Sequence, residues 1–275
     1  MIMISRFLVV LSLLASSFAV SADGDLSLQG DLVQGALILG QTQPGATVSL
    51  DGEPLAVTPD GRFVFGFSRD AGPSAALRVV LPGGKTIDRT MTIEKRGYQI
   101  ERVDGLPPKT VTPPAEWLER RKMETGRVRK GRADMRDLLH WTTGFIKPAE
   151  GRYSGFYGSQ RILNGQPRTP HYGLDIAAPE NTPVNAPAAG VVTLADPDFL
   201  LEGGIVIIDH GYRVTSTLFH MNDVTVKEGD VVTQGQQIGL MGAKGRATGS
   251  HVDWRINWGN VRLDPALVLP EPDKP

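Results

Sequence analysis

The feature that most constrains this chain is its punctuation: apolar runs of strand length, each closed by a glycine or proline turn, with little helical period between them. Over residues 26–95 the turns fall at Pro44-Gly45, Asp51-Gly52, Asp60-Gly61 and Gly83-Gly84. Between them run alternating segments such as Thr47-Val48-Ser49-Leu50 and Arg62-Phe63-Val64-Phe65. Period-two alternation bounded by turn signals predicts strands, and this spacing predicts a small β-sandwich over residues 23–96. The pattern returns from about Phe145, where residues 190–194, 204–209, 212–220, 231–233 and 251–257 read as strands. They predict an antiparallel β domain with several hairpins over residues 141–275. The expected class is therefore mostly β, in two domains.

Residues 97–140 differ. Pro107-Pro108 and Pro113-Pro114 predict a stiff connector, and Arg120, Arg121, Lys122, Arg127, Arg129, Lys130, Arg132 and Arg136 follow closely. That stretch predicts a basic helix interrupted at Gly126 and Gly131. It is expected to pack along the next domain through Trp117, Leu118, Leu138 and Leu139, the rival reading being contact with an anionic wall or lipid polymer. At the other end, Arg6 precedes an apolar run over residues 7–20 that is too short to span comfortably, and Val20-Ser21-Ala22 supplies small residues. This predicts a signal peptide over residues 1–22 and an exported mature protein beginning near Asp23.

Composition removes several function classes. The chain has no cysteine, which excludes disulfide scaffolds, thiolate zinc sites, iron–sulfur clusters and cysteine nucleophiles. Its formal net charge of −1 argues against a nucleic-acid partner. Ser154 lies in Gly-Arg-Tyr-Ser-Gly, which is not a nucleophile elbow. Lys244 lacks the flanks of a modifiable carrier lysine.

Four of the five histidines fall in the last domain. His171 and Asp175 stand four apart with Gly173 between them, so in an extended segment both point one way while the glycine clears room. An imidazole and a carboxylate converging in this way suit zinc. In the run beginning at His251, Val252, Trp254, Ile256 and Trp258 alternate as a buried face, which leaves His251 and Asp253 side by side on the opposite one. A third strand places Val214, Ser216, Leu218 and His220 on one side. His210, in the Asp209-His210-Gly211 turn, and His140 are expected to be structural.

The blocks H-Y-G-L-D, I-V-I-I-D-H-G-Y, T-L-F-H-M, V-K-E-G-D-V-V-T-Q-G-Q-Q-I-G and T-G-S-H-V-D-W-R resemble, in order, those of the lysostaphin-type (LytM-like) zinc metalloendopeptidases. The likeness covers roughly residues 147–265. It implies an antiparallel β-sheet peptidase domain with one zinc ion in an open groove, cleaving peptide bonds of peptidoglycan. Carried over position by position, the metal ligands fall on His171, Asp175 and position 253, and the catalytic histidines on His220 and His251. Position 253 is a histidine in the family and an aspartate here. Asp253 can ligate zinc through oxygen, but two carboxylates cancel the charge of a divalent ion and weaken it as a Lewis acid. A weaker or differently tuned metal site is therefore expected, and not its absence; the shorter aspartate must reach where an imidazole did, which a small strand shift could accommodate. The first 70 or so residues after the signal resemble, far less specifically, bacterial immunoglobulin-like modules.

The expected function is a peptidoglycan endopeptidase held in the periplasm or cell envelope, with a regulatory envelope protein as a further partner. The alternative is a silent relative that binds wall or regulates a hydrolase.

Overall fold

The computed structural model describes residues 24–104, 116–271 and 273–275. The expected signal peptide and the proline pairs at 107–108 and 113–114 lie outside the described residues. No helix among the described residues is long and apolar enough to cross a membrane.

The N-terminal part is built from β1 (Leu26–Gln29), β2 (Leu37–Thr42), β3 (Thr47–Leu50), β4 (Glu53–Leu55), β5 (Arg62–Gly66), β6 (Ser74–Val80) and β7 (Thr86–Thr92). One sheet has the order β1-β2-β5 and the other β4-β3-β6-β7. Both give one face to a shared core, Ile38, Phe63 and Phe65 from the first and Val48, Leu77, Val79 and Met91 from the second. In β6 every second residue is buried, as an alternating sequence requires when one face meets a core and the other meets water.

Next come β8 (Ile100–Val103), α1 (Glu116–Gly131) and a 3-10 turn at His140–Thr143. The connector is thus partly sheet, since β8 pairs in parallel with β10 (Gln160–Leu163). Helix α1 runs unbroken through Gly126 and stops only at Gly131, so the expected interruption at Gly126 is wrong. A single interior glycine costs about 1 kcal/mol, too little to end a helix held from outside. The expected apolar docking is wrong too for Trp117 and Leu118, which are 38% and 56% exposed. Charge holds the helix instead. Arg121 pairs with Glu202 at 2.6 Å, Arg127 with Asp196 and Glu228, and Arg120 with Asp198. Buried Glu124 accepts from Arg120 and from the amide of Leu200.

The C-terminal part comprises β9 (Arg152–Gly155), β10, β11 (Gln166–Pro167), β12 (Leu174–Ala177), β13 (Pro183–Asn185), β14 (Gly190–Phe199), β15 (Gly203–Gly211), β16 (Val214–Val224), β17 (Val231–Val232), β18 (Gln237–Met241), β19 (His251–Trp258) and β20 (Val261–Leu263). Its main sheet is ordered β17-β14-β15-β16-β19-β12-β9 and is antiparallel throughout. One face carries Leu218, Val252, Trp254 and Ile256 into the main core. The opposite face carries the polar residues of β19, and beside them a small apolar cluster of Leu194, Phe199, Ile205, Ile207 and Phe219 packed against Val128 of α1.

The two parts share structure rather than hang on a tether. Leu37 and Val64 of the N-terminal sheets join the C-terminal core. Arg96 forms a 2.8 Å ion pair with buried Asp264, and Arg69 donates Nε–H to the carbonyl of Gly158 at 3.0 Å.

Candidate metal centre

Strand pairing sets the site. Asp253 of β19 stands opposite Asp175 of β12 on one side and Phe219 of β16 on the other. Cross-strand partners share a face, so both carboxylates emerge on the sheet face opposite the Trp254 core. His171 lies just before β12, in a loop fixed by two backbone bonds, His171 N–H to the Ser159 carbonyl and Gly158 N–H to the His171 carbonyl, each 2.8 Å. Its Nε2 comes to 3.0 Å from Asp175 Oδ1 and 3.4 Å from Asp253 Oδ2. The pairing of β19 with both neighbours is in unbroken register over these residues. Room comes from glycine: a Cβ at Gly173 would overlap Asp253 Oδ1, and one at Gly155 would overlap Asp175 Oδ2.

These residues fit a divalent cation. One donor atom from each of His171, Asp175 and Asp253 lies within 4.8 Å of the others. Asp175 Oδ1 is buried and accepts no well-aligned hydrogen bond, although it faces an imidazole nitrogen. A buried carboxylate oxygen so placed calls for a positive partner. His171 responds in the same sense. Burial acts to lower its pKa, but the Asp175 and Asp253 carboxylates prevail and raise it to about 10. Its Nδ1 faces the Phe156 carbonyl at 3.3 Å, which in the Nδ1–H tautomer turns the Nε2 lone pair to the carboxylates. One imidazole and two carboxylates form a mixed nitrogen–oxygen set suited to zinc and tolerant of other divalent ions.

His220 and His251 lie beside this group, with ring centroids 4.7 Å apart. Simple alternation would put His220 on the core side with Leu218, as the sequence reading has it. The structure differs. His220 adopts φ +67°, and the β15–β16 register slips between Val206↔Leu218 and Gly204↔Met221. This bulge turns His220 to the face that holds His251. Both rings have Nδ1 at 2.9 Å from a backbone carbonyl, that of Lys244 for His220 and that of Gly249 for His251, so both present Nε2. Burial lowers the pKa of His220.

His210 is fully buried between the Ala189 carbonyl and Ser216 Oγ, with its pKa lowered to about 4 by burial. It belongs to the core, not the site. His140 sits in the 3-10 turn at His140–Thr143.

One residue of this face escaped the sequence reading. Arg255, two positions after Asp253, reaches Asp253 Oδ2 with Nη2 at 2.6 Å and both carboxylate oxygens with Nε at 3.1 Å. Its guanidinium covers the Phe219 ring at 4.6 Å. The signal was present, since residues i and i+2 of a strand share a face. Burial acts to raise the pKa of Asp253, but Arg255 and then His171 outweigh it and hold the carboxyl far below its ordinary range.

Comparison with known proteins bears on the whole of this face. Residues 169–265 match the model described as peptidase family M23. A candidate peptidase M23 from Pseudomonas aeruginosa, known as a crystal structure, superposes over 86% of this chain and 95% of its own, with a TM-score of 0.66 and 26% identity. The peptidoglycan DD-endopeptidase ShyA of Vibrio cholerae is 38% identical over 87 residues, 32% of this chain and 20% of that protein. The DD-carboxypeptidase/endopeptidase Mpg of Neisseria meningitidis serogroup B is 36% identical over 107 residues, 38% of this chain and 24% of that protein. The similar region thus spans about a fifth to a quarter of the length of these two curated relatives.

Proposed function

We propose, from the match of residues 169–265 to peptidase family M23, that the protein is a zinc-dependent endopeptidase of bacterial peptidoglycan. Its substrates are the stem or cross-link peptides of the wall, a reading supported by the endopeptidase names of the two relatives. The observation that carries it is the convergence of His171, Asp175 and Asp253 on one point beside two histidines that both present Nε2. His171, Asp175 and Asp253 would hold one zinc ion. Bound there, zinc supplies Lewis acidity toward the scissile carbonyl and lowers the pKa of water.

The chain's own groups supply the proton chemistry. His251 and His220 have Nδ1 committed to carbonyls, so a proton is taken up at Nε2. Once protonated, either ring donates a hydrogen bond to the oxyanion that forms as the carbonyl is attacked. Burial keeps His220 neutral at neutral pH, the form in which it accepts. The short signal-like pattern of residues 1–22 supports export, so the substrate would be met in the periplasm or cell envelope, where a regulatory envelope protein could also bind.

The test is digestion of purified cross-linked muropeptides by the zinc-loaded protein, followed by chromatography and mass spectrometry. Loss of cross-linked dimers that stops with a chelator and returns with zinc is the expected result. A fully loaded protein that cleaves no muropeptide would overturn the reading.

A further inference from the structure

Asp253 and Arg255 occupy successive outward positions of β19 and form one compact ion pair, with Nε at 3.1 Å from both oxygens and Nη2 at 2.6 Å from Oδ2. The pair is sheltered: 4% of the Asp253 side chain and 23% of the Arg255 side chain are exposed. Among the described residues, Asp253 makes ion pairs with His171 and Arg255 alone. Arg132, the next arginine over this face, turns to Thr217 Oγ1 at 2.7 Å instead.

Charge at the site then takes a different form from a bare ligand count. Two carboxylates among three donors would neutralise a divalent cation. The guanidinium adds one positive charge in contact with one of those carboxylates, inside a face where water screens it little. We propose that Asp253 and Arg255 act together as a single neutral ligand, the guanidinium cancelling the charge of the carboxylate. Arg255 is thus a charge-setting residue of the metal centre. Its planar fork suits this, since it grips the carboxylate edge-on while leaving oxygen lone pairs toward His171. The inference rests on the metal centre proposed above but not on the substrate.

The test is zinc affinity, read by competition with a chromophoric chelator, for the wild type, Arg255→Gln, Asp253→His and the double variant. Arg255→Gln removes only the counter-charge and tightens zinc by about tenfold or more. Asp253→His leaves Arg255 uncompensated and weakens zinc by about tenfold or more. The double variant returns close to the wild type. Arg255→Lys keeps the charge without the fork and should stay near the wild-type affinity with its fold intact, so it guards against a glutamine variant that fails to fold. Unchanged or weaker zinc binding by a folded Arg255→Gln protein overturns the proposal. So does an Asp253→His protein that binds zinc as tightly as the wild type, or a folded lysine variant that tightens zinc as glutamine does. A wild type without zinc affinity removes the metal centre itself, whereas absence of peptidase activity with these affinities intact leaves this inference standing.

Discussion

His220 meets His251 with ring centroids 4.7 Å apart, and it does so through a left-handed backbone at His220 rather than through strand alternation. The two rings therefore form a unit on this face, each with Nδ1 held by a backbone carbonyl and Nε2 left free of that bond. Replacing either histidine with alanine is expected to lower muropeptide hydrolysis by about 10²–10⁴-fold, the range for loss of a general acid–base group. Zinc content should stay at the wild-type level. Metal analysis beside steady-state rates checks this, and a variant that loses its zinc together with its rate would reassign that histidine as a ligand.

His171→Ala and Asp175→Ala address the metal itself. Each removes one of three donors that lie within 4.8 Å of one another, so both are expected to lose zinc on dialysis and all measurable turnover. Circular dichroism should be unchanged, because the residues stand on the face opposite the Trp254 core. Retained stoichiometric zinc in either variant would count against the assigned ligand.

Arg69 ties the N-terminal part to the metal loop. Arg69 donates Nε–H to the Gly158 carbonyl, and the Gly158 amide binds the carbonyl of His171. Arg69→Ala leaves that buried carbonyl without its partner and should cost about 1–3 kcal/mol in denaturant unfolding. Zinc affinity should fall as well, since the loop that aims His171 loses its brace. Affinity equal to that of the wild type would show that the loop is held without the N-terminal part.

Acid should destabilise the protein through His210. Burial lowers its pKa from 6.5 in an unfolded chain to about 4 in the fold. Between these values the unfolded chain binds the extra proton and the folded one does not, so stability is complete above pH 6.5 and declines as pH falls toward 4. The contribution at stake is about 3 kcal/mol. His210→Gln should be less stable at pH 7 but flatter over this window when urea midpoints are compared at pH 7 and 4.5. An equally steep pH dependence in the variant would place the acid sensitivity elsewhere.

Helix α1 lies on the metal face of the sheet. Leu194, Ile207, Thr217 and Arg255 form one cross-strand row, Gly131 rests on the first two, and Arg132 bonds the third. A chain beginning at Trp141 would uncover Leu194, Phe199, Ile205, Ile207 and Phe219. It is expected to lose at least about 2 kcal/mol of stability, so a change in its activity is interpretable only beside its unfolding curve. A truncated chain as stable as the full one would show that the helix does not seal this face.

The strands of the C-terminal sheet could be read from the chain because alternation is a local rule, whereas the grouping of His171 and Asp175 with Asp253 came only from the family resemblance, since it depends on the pairing of β12 with β19. Alternation assigns a residue to one face of a strand, and glycine at 173 marks the place where a neighbouring side chain needs the space. Arg255 obeyed the same rule, but its role did not show, because spacing gives a shared face and not a rotamer that folds back onto Asp253. The helix after the connector was misread for a related reason. Its apolar residues looked like the docking surface, yet the acids that hold it, Asp196, Asp198, Glu202 and Glu228, lie more than 60 residues further along.

By itself, then, the sequence determined the β architecture and the ligand types, since hydrophobic period and side-chain chemistry are written residue by residue. The tertiary structure alone decided that His220 turns to the face that holds His251, that Arg255 pairs with Asp253, and that Arg69 bonds the loop of His171. Those outcomes depend on a register slip, a rotamer and a contact between distant segments, and each is a difference of energy between whole packings that no local pattern contains.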